Sequence, residues 1–106
     1  MYVRIINYKF PNELAKNAVK ALAINSTKYQ WENGLLMRYL VDINSNTTST
    51  VLAFKNKEAA DDGWKKFGLK FNKEVKEMGV IVSISEGVSS AEFNANLDPK
   101  QHFKII

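Results

Sequence analysis

The hydrophobic pattern at the start of the chain predicts a strand followed by a helix. Residues 2–9 are rich in β-branched and aromatic side chains, and Phe10-Pro11 follows them, which predicts a strand that ends before the proline. Apolar side chains recur at helical spacing from Leu14 onward, which predicts a helix, and Asn12 is a suitable N-cap for it. Most of these side chains are small, so the helix can lie close to a sheet.

Two further strands are predicted in the middle of the chain. Residues 35–43 are apolar on both faces apart from Arg38 and Asp42, a pattern that requires cover on both sides of a sheet. Asn44-Ser45-Asn46 is a turn signal and residues 48–55 form the next strand, so the two strands make a hairpin. The inward-facing residues of the second strand are predicted to be Thr50, Leu52 and Phe54.

The second helix has the clearest periodicity in the sequence. Asn56 is a suitable N-cap, and Gly79 stands where a left-handed C-terminal cap is expected. Gly63 and Gly68 each cost about 1 kcal/mol relative to alanine inside a helix, which indicates a close contact or a bend there. Residues 80–88 then form the last strand. The apolar residues that recur at steps of three or four are Ala60, Trp64, Phe67, Phe71, Val75 and Met78.

This order of elements predicts an α+β fold, a ferredoxin-like βαββαβ domain with an antiparallel sheet and both helices on one face. The other face carries too much apolar surface to contact water, and pairing with a second copy buries it. We therefore predict a homodimer in which two sheets close a dimeric α/β barrel.

Composition agrees with a single globular domain. The 106 residues are 45% hydrophobic and 25% charged, enough for one core. The formal net charge is +4, but the lysines alternate with acidic residues, so no basic stripe for nucleic acid or a membrane surface is visible. The absence of cysteine excludes disulfides and thiolate chemistry. No secretory signal or membrane-spanning run is visible, which predicts a cytoplasmic protein.

Four segments carry a resemblance to a known superfamily. They are Tyr2-Val3-Arg4-Ile5-Ile6, Gly34-Leu35-Leu36-Met37-Arg38-Tyr39-Leu40, Phe54-Lys55-Asn56-Lys57-Glu58-Ala59-Ala60 and Val80-Ile81-Val82. The chain resembles the antibiotic-biosynthesis monooxygenase superfamily of dimeric α/β barrels. This resemblance implies the barrel fold and, among the activities of the superfamily, either cofactor-free oxidation of quinols or degradation of haem.

The haem-degrading branch fits the sequence poorly. Its members use an asparagine on the first strand with a tryptophan and a histidine on the second helix, and Asn7 and Trp64 match only the first two. Glu74 stands near the expected imidazole, and a carboxylate does not replace that neutral nitrogen ligand. The single histidine, His102, lies in the C-terminal tail. We therefore expect no haem, no other cofactor and no metal.

The enzyme hypothesis is a cofactor-free monooxygenase that acts on a small phenolic or quinol-like aromatic in a pocket between sheet and helices. The substrate anion itself reduces oxygen in such chemistry, so the protein supplies an apolar cavity and a few hydrogen bonds. The candidate catalytic residues are Asn7 and Trp64. The candidate pocket residues are Tyr39, Phe67 and Phe71.

The same residues also allow structural interpretations. Asn7 either faces the helices, where its amide needs a partner, or faces solvent near a strand end. Aromatic side chains at helical spacing, such as Trp64, are more often core than substrate platform. Arg38 and Asp42 share a face by strand parity. A buried guanidinium at Arg38 would demand a partner such as Asp42 or an anionic ligand, and a structural ion pair or an exposed edge is the favoured interpretation.

Two other functions remain open. One is a non-catalytic homodimer that binds a small ligand or acts as an interaction module. The other is an RNA-recognition domain, which shares the βαββαβ order; it is the least favoured because its stacking positions would be Ser49 and Val51.

The chain is predicted to divide at residue 88. Residues 1–88 form the domain, and residues 89–106 form a C-terminal arm whose large apolar side chains gain from burial. We expect the arm to dock on the dimer, along its seam or a sheet edge, with a turn at Asp98-Pro99. The apolar residues of the arm are Phe93, Leu97, Phe103, Ile105 and Ile106.

Overall fold

A computed structural model describes residues 1–93 and 103–105 of the chain. Its main sheet is antiparallel, with strand order β2-β3-β1-β4, and is formed by β1 (Tyr2–Lys9), β2 (Leu35–Asn44), β3 (Thr47–Phe54) and β4 (Ile81–Val88). The helices are α1 (Glu13–Trp31), α2 (Lys57–Gly63) and α3 (Leu69–Glu77). A π-helical segment, Trp64–Gly68, joins α2 to α3, and we call these three pieces together the second helical arm. The predicted ferredoxin-like α+β fold is confirmed.

Local signals place the helix boundaries where the sequence predicts them. The side chains of Asn12 and Asn56 accept hydrogen bonds from the backbone N–H groups of Ala15 and Ala59, each at 2.8 Å. Each cap satisfies a donor that the first turn of a helix leaves without a partner. Gly79 has a φ of 82°, a left-handed conformation that suits glycine, and it ends the second helical arm.

Strand parity divides the sheet into a covered face and an open face. The predicted inward residues Thr50, Leu52 and Phe54 are all at most 4% exposed, and the core that they join lies between the sheet and the helices. Val19 of α1 and Val75 of α3 complete this core from the helical side. The covered face therefore holds the hydrophobic core of the described residues.

The open face carries the apolar surface that the sequence predicts. Its centre is the row formed by Ile5, Val51 and Tyr39, which are paired across β1, β3 and β2. Ile5 is 38% exposed, Tyr39 57% and Ile81 67%. We use "open face" for Val3, Ile5, Asn7, Met37, Tyr39, Val41, Ser49, Val51 and Ile81.

The arm begins with a strand that is connected to the start of β1. The backbone N–H and hydroxyl of Ser89 donate to the carbonyl oxygen of Met1 at 2.9 and 3.1 Å, and the Met1 ammonium lies 3.5 Å from a carboxylate oxygen of Glu92. Strand β5 (Ala91–Phe93) pairs antiparallel with β6 (Phe103–Ile105). The predicted turn at Asp98-Pro99 lies outside the described residues, and docking of the arm on a partner stays a prediction. In the described part of the chain, none of the helices has the length and apolar character to traverse a bilayer.

Candidate functional site

A narrow cavity lies between the covered face of the sheet and the second helical arm. Its apolar wall includes Trp64 and Phe71, and the centres of water-sized molecules can occupy about 30 Å³ of it. One water needs about 10–15 Å³ by this measure, so the cavity holds a few small atoms as it stands. Its polar lining consists of Arg4, Tyr8, Ser26, Gln30, Arg38 and Asn72.

Two buried polar atoms in this lining have no hydrogen-bond partner among the described residues. They are the hydroxyl of Tyr8, which is 1% exposed, and the Oδ1 atom of Asn72, which is 7% exposed. Each unsatisfied buried group costs about 1–3 kcal/mol, so most such groups in folded proteins bond to water or a ligand. Burial raises the pKa of Tyr8 to about 12 despite the nearby charge of Arg38. The phenol therefore stays protonated at neutral pH and can donate a hydrogen bond.

Arg38 brings a positive charge to the cavity. Its Nε atom donates to Thr50 Oγ1 at 3.1 Å, and its Nη1 atom donates to the carbonyl oxygen of Ala23 at 3.1 Å and to Thr27 Oγ1 at 3.2 Å. All of these acceptors are neutral. Desolvation by burial lowers the pKa of Arg38.

The predicted pair of Arg38 and Asp42 is wrong, although β2 is an edge strand as the alternative expected and Arg38 is half-buried on it. Asp42 instead accepts hydrogen bonds from Lys20 of α1 at 2.8 and 3.0 Å and from Thr48 Oγ1 at 2.8 Å. Four residues along a strand span about 13 Å, so both side chains find nearer partners although they share a face.

Arg4, the other arginine that lines the cavity, is buried, and its charge is neutralised. Arg4 Nε donates to a carboxylate oxygen of Glu86 at 2.9 Å, and Arg4 Nη2 lies 3.6 Å from Asp61. Its guanidinium carbon lies 5.2 Å from the centre of the Trp64 ring, within the range of a cation–π contact. A hydrogen bond from the Tyr2 hydroxyl, followed by the bond from Arg4, lowers the pKa of Glu86. The guanidinium of Arg4 therefore covers one face of the Trp64 ring.

Gly68 packs closely against the ring of Trp64. A Cβ atom built at Gly68 would lie 2.8 Å from Cδ2 of the Trp64 ring and still closer to Cε3, whereas a Cβ atom at Gly63 would lie 3.5 Å from Phe54. The predicted close contact is therefore confirmed at Gly68, and the helix there widens into a π-turn. Single π-turns often occur at functional sites.

An outer groove between α1 and the second helical arm adjoins the cavity. It offers about 500 Å³, which falls in the range of small-molecule pockets. Ser26 and Phe71 line both the groove and the cavity, so they form the partition between the two. The rings of Tyr29 and Phe67 stack in the groove at 6.3 Å. Its charged lining residues are Lys66, Lys70 and Glu74.

The structure does not bring the predicted site residues together. Trp64 and Phe71 line the cavity, and Phe67 lines the adjoining groove. Asn7 and Tyr39 lie on the open face instead, so the placement of these two in a pocket between sheet and helices is wrong. The amide of Asn7 accepts a hydrogen bond from the Ser49 hydroxyl and donates to Ser83 Oγ at 3.5 Å.

Sequence reasoning missed the polar half of the cavity. Tyr8 follows Asn7 directly and has the opposite parity, so its side chain points to the helices. Asn72 lies within the stripe of the second helix, one turn before the buried Val75, and that spacing was the available signal for its burial.

Metal-binding side chains are not clustered in the described part of the chain. Among these residues there is no group of three or more His, Cys, Asp or Glu side chains that could hold a metal ion. His102 lies outside the described residues.

Comparisons with known proteins identify the fold. No protein-family model and no curated protein matches the sequence. A structure from Deinococcus radiodurans assigned as an antibiotic biosynthesis monooxygenase aligns with 89% of this chain and 97% of its own, at 15% identity and a TM-score of 0.74. A dimeric ferredoxin-like protein from an uncultured marine organism aligns over 89% and 99%, at 17% identity and a TM-score of 0.70.

SnoaB from Streptomyces nogalater, a cofactor-independent oxygenase, also shares the fold. It aligns with 83% of this chain and 91% of its own, at 8% identity and a TM-score of 0.70. The predicted resemblance is therefore confirmed at the level of structure: the chain has the ferredoxin-like fold of the antibiotic biosynthesis monooxygenase structures.

Proposed function

We propose that this protein is a cofactor-independent monooxygenase that oxidises a small phenol- or quinol-like aromatic at the cavity beside Trp64. The observation that carries the proposal is the pair of buried, unpartnered polar atoms on Tyr8 and Asn72, two residues that line the cavity together with Trp64 and Phe71. In a core that served packing alone, these two groups would only cost stability, whereas a bound substrate could form hydrogen bonds with both of them. The shared fold with a cofactor-independent oxygenase supports the reaction class.

The proposed reaction needs only oxygen and the substrate. The ionised substrate passes one electron to O₂, and the resulting radical and superoxide combine to form a carbon–oxygen bond. The peroxide then takes up the proton released when the substrate ionised and loses water, so the ring carbon that carried hydrogen becomes C=O, one oxygen atom enters the product and the other leaves as water. The protein holds the ring against Phe71, which lines both the cavity and the groove, and stabilises charge on the substrate oxygen with fixed donors.

Oxygen consumption with anthrone and hydroquinone as probes tests this proposal. We expect turnover by protein treated with a chelator, with one atom of ¹⁸O₂ in the anthrone product. Tyr8→Phe removes an unsatisfied hydroxyl, so it should raise the free energy of unfolding by about 1–3 kcal/mol. It also removes a proposed oxyanion donor and should lower kcat by about 10². A purely structural tyrosine would not lose activity while the protein gained stability.

Two results would contradict the enzyme proposal. One is the absence of oxygen consumption with both probes. The other is unchanged turnover by a stabilised Tyr8→Phe protein. Binding of the probes without oxygen consumption would support the non-catalytic ligand-binding dimer instead.

We further propose that two copies pair through their open faces. The apolar row of Ile5, Val51 and Tyr39 is continuous across three strands, and Ile5 and Tyr39 are 38% and 57% exposed. A patch of this kind on a single chain typically marks an interface. The like-folded marine protein is itself dimeric, which supports a second copy as the occupant.

A further inference from the structure

The two arginines of the cavity differ in a way that points to a ligand. Arg4 contacts the carboxylates of Glu86 and Asp61. Arg38 contacts only neutral oxygen atoms, and no carboxylate of a described residue lies within 4.0 Å of its guanidinium. Arg38 is half-buried, and a guanidinium that is partly withdrawn from water is normally paired with an anion. The cavity therefore holds one positive charge whose natural partner is not part of the described chain.

The hydrogen bonds of Arg38 hold it in place for such a partner. Its Nε and Nη1 atoms donate to β3 and to α1, while its Nη2 atom has no hydrogen-bond partner among the described residues. Arg38 and Tyr8 line the same cavity, and Arg38 lowers the pKa of Tyr8 while Tyr8 raises the pKa of Arg38, each against the larger effect of burial. Together they offer an ionic donor and a neutral donor that are both otherwise unused.

We propose that the ligand is a small aromatic anion whose ionised oxygen binds Arg38 Nη2 and the Tyr8 hydroxyl; this deepens the proposed function and rests on it. The ring lies in the outer groove against Phe67 and Phe71, and the anionic oxygen passes the partition at Ser26. A second hydroxyl on the ligand donates to Asn72 Oδ1. The narrow inner cavity then has to hold only the oxygen atom, while the groove holds the ring.

The same arrangement replaces a general base. Neither a carboxylate nor an imidazole is among the residues that line the inner cavity, and Glu74 is the single acidic residue lining the groove. A phenol ionises near pH 10 in water, and a nearby cation favours its charged form. The phenol O–H bond therefore breaks, and its proton passes to water in the groove. Lys66 and Lys70, which line the groove, add positive charge along the path by which the anion enters.

Binding of 4-nitrophenol, whose ionised form is yellow, tests this inference without any turnover. We expect the intact protein to bind the phenolate and to lower the apparent pKa of the bound probe. Arg38→Gln should weaken binding about 10–100-fold, as expected for a hydrogen bond between charged groups. Arg38→Lys should restore part of the affinity. Lys65→Gln removes one positive charge outside the cavity and the groove and should leave binding unchanged.

Benzoate provides a second arm that separates a carboxylate from a phenolate ligand. Binding of either anion that depends on Arg38 supports the anion site. The anion that binds more tightly shows whether the site prefers a carboxylate or a phenolate. Equal affinity of parent and Arg38→Gln for both anions, or binding of 4-nitrophenol in its neutral form, overturns it. If Arg38→Gln fails to fold, Arg38→Lys and the colour of the probe bound to the parent decide. Anion binding without oxygen consumption would refute the oxygenase reaction alone, and oxygen consumption without dependence on Arg38 would refute the anion site alone.

Discussion

Replacing Gly68 by alanine should displace the ring of Trp64 from the cavity wall. The new Cβ atom would lie 2.8 Å from Cδ2 of that ring, well inside the contact distance of about 3.5–4.0 Å. The ring cannot simply retreat, because the guanidinium of Arg4 covers it. Gly63, one turn earlier, provides a matched control, since a Cβ atom there makes an ordinary contact of 3.5 Å with Phe54.

The two substitutions should change stability in opposite directions. Both glycines have helical φ angles, −61° at Gly63 and −68° at Gly68, so alanine gains about 1 kcal/mol at each from helix propensity. Gly63→Ala should therefore raise the free energy of unfolding by up to about 1 kcal/mol. Overpacking at Gly68 costs about 1–3 kcal/mol, which outweighs the same gain and leaves a loss of up to about 2 kcal/mol.

Urea unfolding and tryptophan fluorescence measure both effects. Trp31 is 58% exposed, so Trp31→Phe is a mild background in which emission reports Trp64 alone. We expect Gly68→Ala to shift this emission to longer wavelength and to weaken 4-nitrophenol binding, while Gly63→Ala does neither. If Gly68→Ala were as stable as Gly63→Ala and had unchanged emission, the ring would not be held by Gly68 and the reasoning would fail.

Three further predictions concern other parts of the molecule. The bonds from Tyr2 and Arg4 lower the pKa of Glu86 below 4.5, so its stabilisation is complete above that pH and is lost as the pH falls through the lowered pKa. Because Glu86 is 38% exposed, Glu86→Gln should cost only about 1 kcal/mol near pH 7, and urea unfolding in acid should show no difference; a difference independent of pH would contradict this. Ile5→Glu should convert the dimer to monomer in sedimentation, whereas Leu14→Glu, on an exposed part of α1, should not; equal behaviour of the two would argue against the open face. Truncation after Val88 should lower Tm and weaken dimerisation, and an unchanged dimer dissociation constant would show that the arm does not dock on a partner.

Elements with strong local signals could be predicted from the sequence. Asn12 and Asn56 cap helices because their side chains replace missing backbone acceptors for the first turn, and Gly79 ends a helix because it adopts positive φ at low cost. Each of these effects depends on neighbours a few residues away, which the sequence displays directly. The order of the elements, and with it the fold, follows from them.

Contacts between distant segments could not be predicted in the same way. Parity correctly placed Arg38 and Asp42 on one face, but it carried no information on Lys20 of α1, which binds Asp42. The isolation of Arg38 likewise depends on how α1 crosses the sheet, because the carbonyl of Ala23 and the hydroxyl of Thr27 fill its donors. Such choices are settled by packing between elements that are far apart in sequence.

The error at Asn7 shows how much depends on a single residue step along β1. Arg4 and Tyr8 share a parity and face the cavity, whereas Ile5 and Asn7 share the other parity and face outward. The exposed Lys9 at the end of the strand has the parity of Asn7, and this was a sign that the odd-numbered face is the less covered one. Strict alternation therefore places the cavity on the covered face and the apolar row on the open one, and the two proposals assign ligand binding to the first face and association to the second. It follows that Ile5→Glu should abolish dimerisation and leave the affinity of each chain for 4-nitrophenol unchanged, and a parallel loss of both would mean that the partner contributes to the site.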